Sequence, residues 1–296
     1  MRFFFISLAL LFSNSVFSQN LTPNVSLDLK TSNITGIVLD SKTGKPLEYA
    51  SVGIINTQFG GVTDANGSFS FEVKGLSANA SIRFSMIGYA PQVYKVDEYL
   101  SKNGQIQLEE TPVVIPEVII KPSNKTRKVG VTSFDRFGQW CGWGGLQFGR
   151  GNEVGTRIDL GPKPVLLSKL HVRILRQSFD TSCYRLHIRP YKNNTVGDEL
   201  LTSNIIIYLT KESGWDEVDL GKYNLVFSGE VVFTLEWLKV KGNNENRAMK
   251  INKKISKAYI LFRTKNDNRG MFRWGIEANW FANNPISPAM YLTVKE

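Results

Sequence analysis

Between Ile34 and Tyr89 the chain repeats one device: a short alternating or apolar run, closed by residues that favour turns. Thr35–Leu39 ends at Asp40-Ser-Lys-Thr-Gly44, where short polar side chains bond nearby backbone and glycine is free to take positive φ. Pro46 has no N–H to give to a ladder, so the next strand is expected from Tyr49. Asp64-Ala-Asn66-Gly67 is a second turn signal, and its single carboxylate makes it a turn rather than a calcium loop. Ser68–Val73 alternates strictly, which puts Phe69, Phe71 and Val73 on one face. A small antiparallel β-sandwich accounts for this pattern.

The same residues carry a family resemblance. Gly36-Ile-Val-Leu-Asp40, Gly44-Lys-Pro-Leu47, Ala50-Ser-Val52, Thr63-Asp64-Ala-Asn66-Gly67-Ser-Phe69 and Ile87-Gly88-Tyr89 resemble the carboxypeptidase-regulatory-like domain. That domain is a transthyretin-like (prealbumin-like) sandwich, common in secreted and outer-membrane proteins of the Bacteroidetes. The resemblance implies a fold and a compartment. It implies no activity, because in that family the module is an accessory, and fold alone does not license function.

Beyond it, Thr111–Pro122 carries three prolines around Val113-Val-Ile and Val118-Ile-Ile, and Lys121–Lys128 holds four basic residues and no acidic one. This reads as an exposed linker. Phe134–Gly155 is rich in glycine and aromatic residues, and strand patterns resume at Arg157 and continue to Val294 without a sustained helical period. A second all-β domain follows, a jelly-roll-like sandwich. Gly151-Asn-Glu-Val-Gly155, Arg185-Leu-His-Ile-Arg-Pro-Tyr191 and Gly214-Trp-Asp-Glu-Val-Asp-Leu-Gly-Lys-Tyr223 resemble a region that follows the same module in other Bacteroidetes proteins, which implies architecture only. Too few strands remain for the barrel of an outer-membrane receptor.

At the start, Arg2, the apolar run Phe3–Phe12 and the small residues Val16 and Ser18 describe a secretory signal peptide. The expected organisation is a signal peptide over 1–18, a leader over 19–32, the first sandwich over 33–110, a linker over 111–130 and the second sandwich over 131–296. No transmembrane segment is expected in the mature chain. Charge is uneven: residues 31–120 carry a net −3 and residues 121–296 a net +12. A basic surface attracts acidic polysaccharide, lipid headgroups or nucleic acid, and export removes nucleic acid from that set.

Catalytic signatures are missing. His171 and His187 are the two histidines, neither in a zinc spacing, and no Gly-x-Ser-x-Gly elbow is present. Gly149, Gly151 and Gly155 miss the dinucleotide spacing. Glu217 with Asp219, or Glu230 with Glu236, are the carboxylate pairs a glycosidase would need, and within strands such residues more often mark a solvent face. No metal, cofactor or catalytic residue is assigned. Cys141 and Cys183 are the two cysteines: a disulfide is chemically allowed after export, and two buried thiols fit equally.

All six tryptophans lie beyond residue 121. Trp215 and Trp237 alternate within strands and belong to a core. Trp140, Trp143, Trp274 and Trp280, with Arg273, sit among glycines or polar residues and are the candidate ligand contacts, since indole faces stack on sugars and arginine binds carboxylates. The basic run Lys241–Lys257 is either a solvated loop or a patch for acidic partners. The expected function is an exported, non-catalytic binding or accessory protein of the cell envelope, in the periplasm, at the outer membrane or outside the cell. Its second domain would bind a glycan, and its partners would be envelope or acidic polysaccharide or outer-membrane proteins. A glycan-active hydrolase and a structural or assembly component of the outer membrane are the alternatives.

Overall fold

The computed structural model describes residues 32–77, 79–111, 125–144, 150–247, 249–251, 254–256 and 258–296. The expected signal peptide, the leader up to residue 31 and residues 112–124 of the expected linker lie outside that set. Among the described residues no helix is long and apolar enough to cross a membrane. The chain is all-β, with two sandwich domains.

The first sandwich comprises β1 (Ser32–Asp40), β2 (Ser51–Ile54), β3 (Gly60–Val62), β4 (Ser68–Val73), β5 (Ser81–Ser85), β6 (Gln92–Lys95) and β7 (Gln105–Leu108), with one helical turn, α1 (Val96–Leu100). One sheet runs β4-β1-β7 and the other β3-β2-β5-β6. Ile34, Val38, Val52, Ile54, Phe69, Ile82, Phe84, Ile106 and Leu108 fill the space between them. The turn chemistry acts as its residues require. The Asp40 carboxylate accepts from the backbone N–H of Lys42 and Thr43, Gly67 takes φ 70°, and Asp64 N–H donates to the Ser68 carbonyl. One pairing departs from the antiparallel expectation, because β1 and β7 are parallel. Their connection is the whole rest of the sandwich, so the strand returns on the open side of β1.

The second sandwich comprises β8 (Thr126–Gly130), β9 (Trp140–Gly144), β10 (Glu153–Asp159), β11 (Val165–Gln177), β12 (Thr181–Lys192), β13 (Thr195–Val196), β14 (Ile206–Leu209), β15 (Gly214–Asp219), β16 (Val226–Phe227), β17 (Glu230–Lys241), β18 (Met249–Ile251), β19 (Lys254–Ser256), β20 (Tyr259–Arg273), β21 (Trp280–Pro288) and β22 (Met290–Lys295). Strand β20 is long enough to serve both layers. Its first residues pair with β9 and β11, and its last pair with β10 and β21. One layer therefore centres on β11 and β22, the other on β12, β17 and β10. Alternation sends Leu170, Val172, Ile174 and Leu292 from the first layer, and Leu186, Ile188, Phe233, Leu235 and Val154 from the second, into one shared core.

Thr126–Gly130 is not linker. It pairs antiparallel with β22, Arg127 donates to the Leu160 carbonyl, and Arg127 also forms an ion pair with Glu296. Its charges belong on the solvent side of an edge strand, which is why they resemble a solvated linker in sequence.

Candidate functional site

Strand β12 carries the decisive pattern. Tyr184, Leu186 and Ile188 point into the core, so Arg185, His187 and Arg189 share the opposite face. Neighbouring strands bring matching residues to that face. Arg185 lies opposite Glu236 of β17, Glu236 opposite Glu153 of β10, Glu153 opposite Arg273 of β20, and Arg273 opposite Trp280 of β21. A single row of charge and aromatic thus crosses five strands. Two facing glutamates would repel, and His187, opposite Thr234, together with Arg189 two residues further along β12, supplies the compensation.

Glu153, with no exposed surface, accepts from Arg189 Nη1 at 2.7 Å, from Thr234 Oγ1 at 2.5 Å and from Arg273 Nη2. Burial pushes its carboxyl up, but Arg189 and Arg273 overcome this and hold it well below the usual range. Glu236, 2% exposed, accepts from Arg185 Nε at 2.7 Å and from His187 Nε2 at 2.8 Å. Burial again opposes ionisation, and Arg185 and His187 bring the carboxyl down to about 2. Glu199 takes the other His187 nitrogen at 2.5 Å and the backbone N–H groups of Ile188 and Leu201. Burial and Arg189 push the imidazole down, while Glu153 and Glu199 prevail and raise it. With a carboxylate at each ring nitrogen, His187 is placed to donate through both. Arg189 Nη2, 2.9 Å from Nδ1, cannot donate to a protonated nitrogen and serves Glu153 and Glu199 instead.

The first sandwich covers part of this face. Arg185 Nη1 donates to the Tyr49 carbonyl and Nη2 to Ser51 Oγ, both at 2.6 Å. Tyr49 takes φ 67°, a conformation costly for a side chain of its size, and its ring packs with Cys183 and Leu238. Lys239 bonds Glu48 at 2.9 Å, and the Asn56 N–H donates to the Glu277 carbonyl. Gly275, at φ 123°, lets the backbone pass against Gln58, where a Cβ would collide. Beside this contact a cleft of about 530 Å³ remains open between the sandwiches. Ser51, Arg83 and Tyr89 line it from one side; Arg189, Arg273 and Trp280 from the other. The guanidinium carbons of Arg273 and Arg189 lie 4.9 and 5.3 Å from the Trp280 ring centre.

The candidate contacts of the sequence separate here. Arg273 and Trp280 meet in the cleft. Trp274 stacks on Phe272 and stays 38% exposed. Trp140, equally exposed, lies opposite Arg263 on the other layer. Trp143 is a correction: it is 6% exposed, in the core against Trp237, Tyr184 and Phe262, because β9 alternates and turns it inward with Cys141. The cysteines are free and buried in separate apolar clusters, Cys141 inside the second sandwich and Cys183 on its outer side beneath Tyr49, so no disulfide forms. Burial pushes both thiols up, Cys183 to about 11. Of the basic run, Arg247 is paired with Asp180 and Glu212. Glu217 is held by Lys169, and Glu230 by Arg157.

Sequence reasoning passed over Arg185, Arg189, Glu153, Glu199 and Glu277, and gave His187 a structural role. The signal was present in Arg185-x-His187-x-Arg189, whose alternation marks a polar face. Period alone does not distinguish a face covered by water from one covered by another domain. Among the described residues no group of three or more His, Cys, Asp or Glu side chains is placed to hold a metal.

Residues 34–120 match the family model of the CarboxypepD_reg-like domain. No curated protein sequence matches the chain. Among solved structures, the chain is similar to the cysteine protease and lectin-like domains of Cwp84, a surface layer associated protein of Clostridium difficile, at 10% identity and TM-score 0.34, covering 84% of this chain and 59% of that one. It is also similar to a Streptococcal ancillary pilin, at 11% identity and TM-score 0.20, covering 81% of this chain and 60% of that one. The chain thus spans less than two thirds of either structure.

Proposed function

We propose that this chain is an exported, non-catalytic accessory protein of the cell envelope that holds a saccharide in the cleft between its two sandwiches. The observation that carries the reading is the Trp280 ring at the cleft wall, set among guanidinium donors and carboxylate acceptors. Sugar hydroxyls both donate and accept, and their apolar ring faces stack on indole, so a ligand of that class uses both kinds of group. The five cationic side chains of the lining are matched by its four carboxylates and by Glu153 beneath them, which suits a polar ligand better than a strongly charged one. Non-catalytic action fits because Glu153, Glu199 and Glu236 are all held ionised by cations, whereas glycoside hydrolysis needs a protonated acid beside an ionised partner.

One observation favours the hydrolase alternative. Burial raises the Glu277 carboxyl of the lining, against the pull of Arg83 and Arg273. A glycan array with the mature chain, followed by an assay for released reducing ends, separates the readings. Binding that Trp280→Ala abolishes, with no release, is the expected result. Release that Glu277→Gln stops would replace the binding protein by an enzyme. No saccharide bound at all would favour the structural role. Export is tested by sequencing the amino terminus of protein from cell fractions, with Gln19 expected.

A further inference from the structure

The layer facing away from the cleft presents a second row. Its core-facing residues are Val172 and Phe262, so Arg173 of β11 and Arg263 of β20 point outward. Ala289 links the two strands, accepting from Arg173 N–H and donating to the Arg263 carbonyl. Each arginine has a tryptophan opposite it on the next strand, Trp140 for Arg263 and, for Arg173, Trp215, which lies half-buried on this outer face against Phe134 and Tyr291 and not in the core where its alternation in sequence puts it. Phe134 sits between the arginines, its ring centre 4.9 Å from the Arg173 guanidinium and 5.8 Å from that of Arg263. Its loop is fixed, because Asp135 pairs with Lys265 and bonds the Asn266 N–H.

These two guanidiniums differ from those of the cleft. Among the described residues neither has a carboxylate partner, and each has one hydrogen bond, from Nη1 to a backbone carbonyl. The Nε of both is buried and unpartnered, as is that of Arg273 in the cleft. Burial and the neighbouring Arg263 charge both disfavour the Arg173 cation. Arg185 and Arg189, by contrast, each hold glutamates. Two like charges placed around one ring without a counter-ion depart from the pairing that Arg185 and Arg189 keep in the cleft, and such departures mark functional sites. An oxyanion on the Nη2 groups, which carry no hydrogen bond among the described residues, would supply the missing carboxylate partner.

We propose that this face binds an acidic polysaccharide strand, seating a uronate carboxylate on the Nη2 groups of Arg173 and Arg263 at the edge of the Phe134 ring, while adjacent sugar rings lie against Trp215 and Trp140. The row Trp215–Arg173–Phe134–Arg263–Trp140 matches such a chain in alternating ring with charge. The site is independent of the cleft reading, since no residue is shared.

Calorimetric titration of the full chain with an oligogalacturonate tests it, with neutral dextran and anionic phospholipid vesicles in parallel. Oligogalacturonate should bind, and more weakly as salt rises. The Arg173→Gln/Arg263→Gln variant should lose at least about tenfold in affinity, while Lys42→Gln/Lys45→Gln, the same change of charge on an exposed turn of the first sandwich, leaves it unchanged. Arg173→Lys/Arg263→Lys should keep the salt-dependent part and lose the rest. Equal affinity for dextran and oligogalacturonate in the native chain would overturn the proposal whatever the variants do. So would unchanged affinity in the arginine-to-glutamine variant, an equal loss in Lys42→Gln/Lys45→Gln, or vesicles binding in place of the oligosaccharide.

Discussion

Arg185 joins the parts of the molecule that matter. It is 1% exposed, its Nε neutralises Glu236, and its two remaining nitrogens reach Tyr49 and Ser51 of the other sandwich. Arg185→Met would leave Glu236 as a buried carboxylate supported by His187 alone. Removing one partner of such a pair costs about 3–5 kcal/mol, which a denaturant titration would read as a lower midpoint. His187 gives a pH test with a definite sign. Its folded value is raised above the ordinary 6.5, so the stability it contributes is complete below 6.5 and lost as pH rises through the folded value. The glutamates act in the opposite sense: their contribution is present above 4.5 and lost as pH falls, for Glu236 toward about 2. Denaturation midpoints measured between about pH 5 and pH 9 should therefore fall on the alkaline side, and His187→Gln should flatten that limb. A native chain equally stable across this range would refute a protonated His187.

Strands show why the first sandwich is legible in sequence and the cleft is not. Ser68–Val73 and Ser81–Ser85 alternate and end in turn residues, so local chemistry alone defines them. Strand β20 reads as two strands, because its middle holds Lys265, Asn266, Asp267 and Asn268, which are edge and hairpin residues opposite β21. Strand β21 has no apolar pattern at all: Asn283, Asn284 and Pro285 read as loop, and the neighbouring β20 imposes the pairing. The charged row has the same cause, since it exists only when five strands separated in sequence come into register. Strand β10 shows how tight that register is. Gly155 lies opposite Thr234 of β17, and a methyl group there would collide with the Phe233 carbonyl and the Thr234 side chain. Gly155→Ala should cost on the order of 1–3 kcal/mol, the usual range for forced overpacking. Thermal unfolding measures it, and a midpoint equal to that of the native chain would show that β10 and β17 can separate freely.

Two domains joined by a proline-rich stretch would be expected to move apart once the stretch is cut, and sequence alone favours that outcome. The contacts between the sandwiches argue for the reverse. Arg185 supplies two hydrogen bonds, Lys239 an ion pair with Glu48, and the Glu277 carbonyl receives the Asn56 N–H, while its carboxylate lies 3.6 Å from Arg83. Gly53 and Gly275 remove the Cβ atoms that would keep the surfaces apart, against Glu277 and Gln58 respectively. The two Arg185 bonds are sequestered from water, so breaking them exposes unpaired buried groups, and that cost favours the closed arrangement. We predict that the two sandwiches stay together without a covalent link. With a specific protease site inserted between residues 111 and 125 and then cut, the halves of the native chain should co-elute on size exclusion. The same cut in a chain carrying Arg185→Ala and Glu277→Ala should release two separate species, each retaining β-sheet circular dichroism. Release of both halves from the cut native chain would show that the cleft is a passing contact between independent modules, and the Trp280 site would then have to bind with the second sandwich alone.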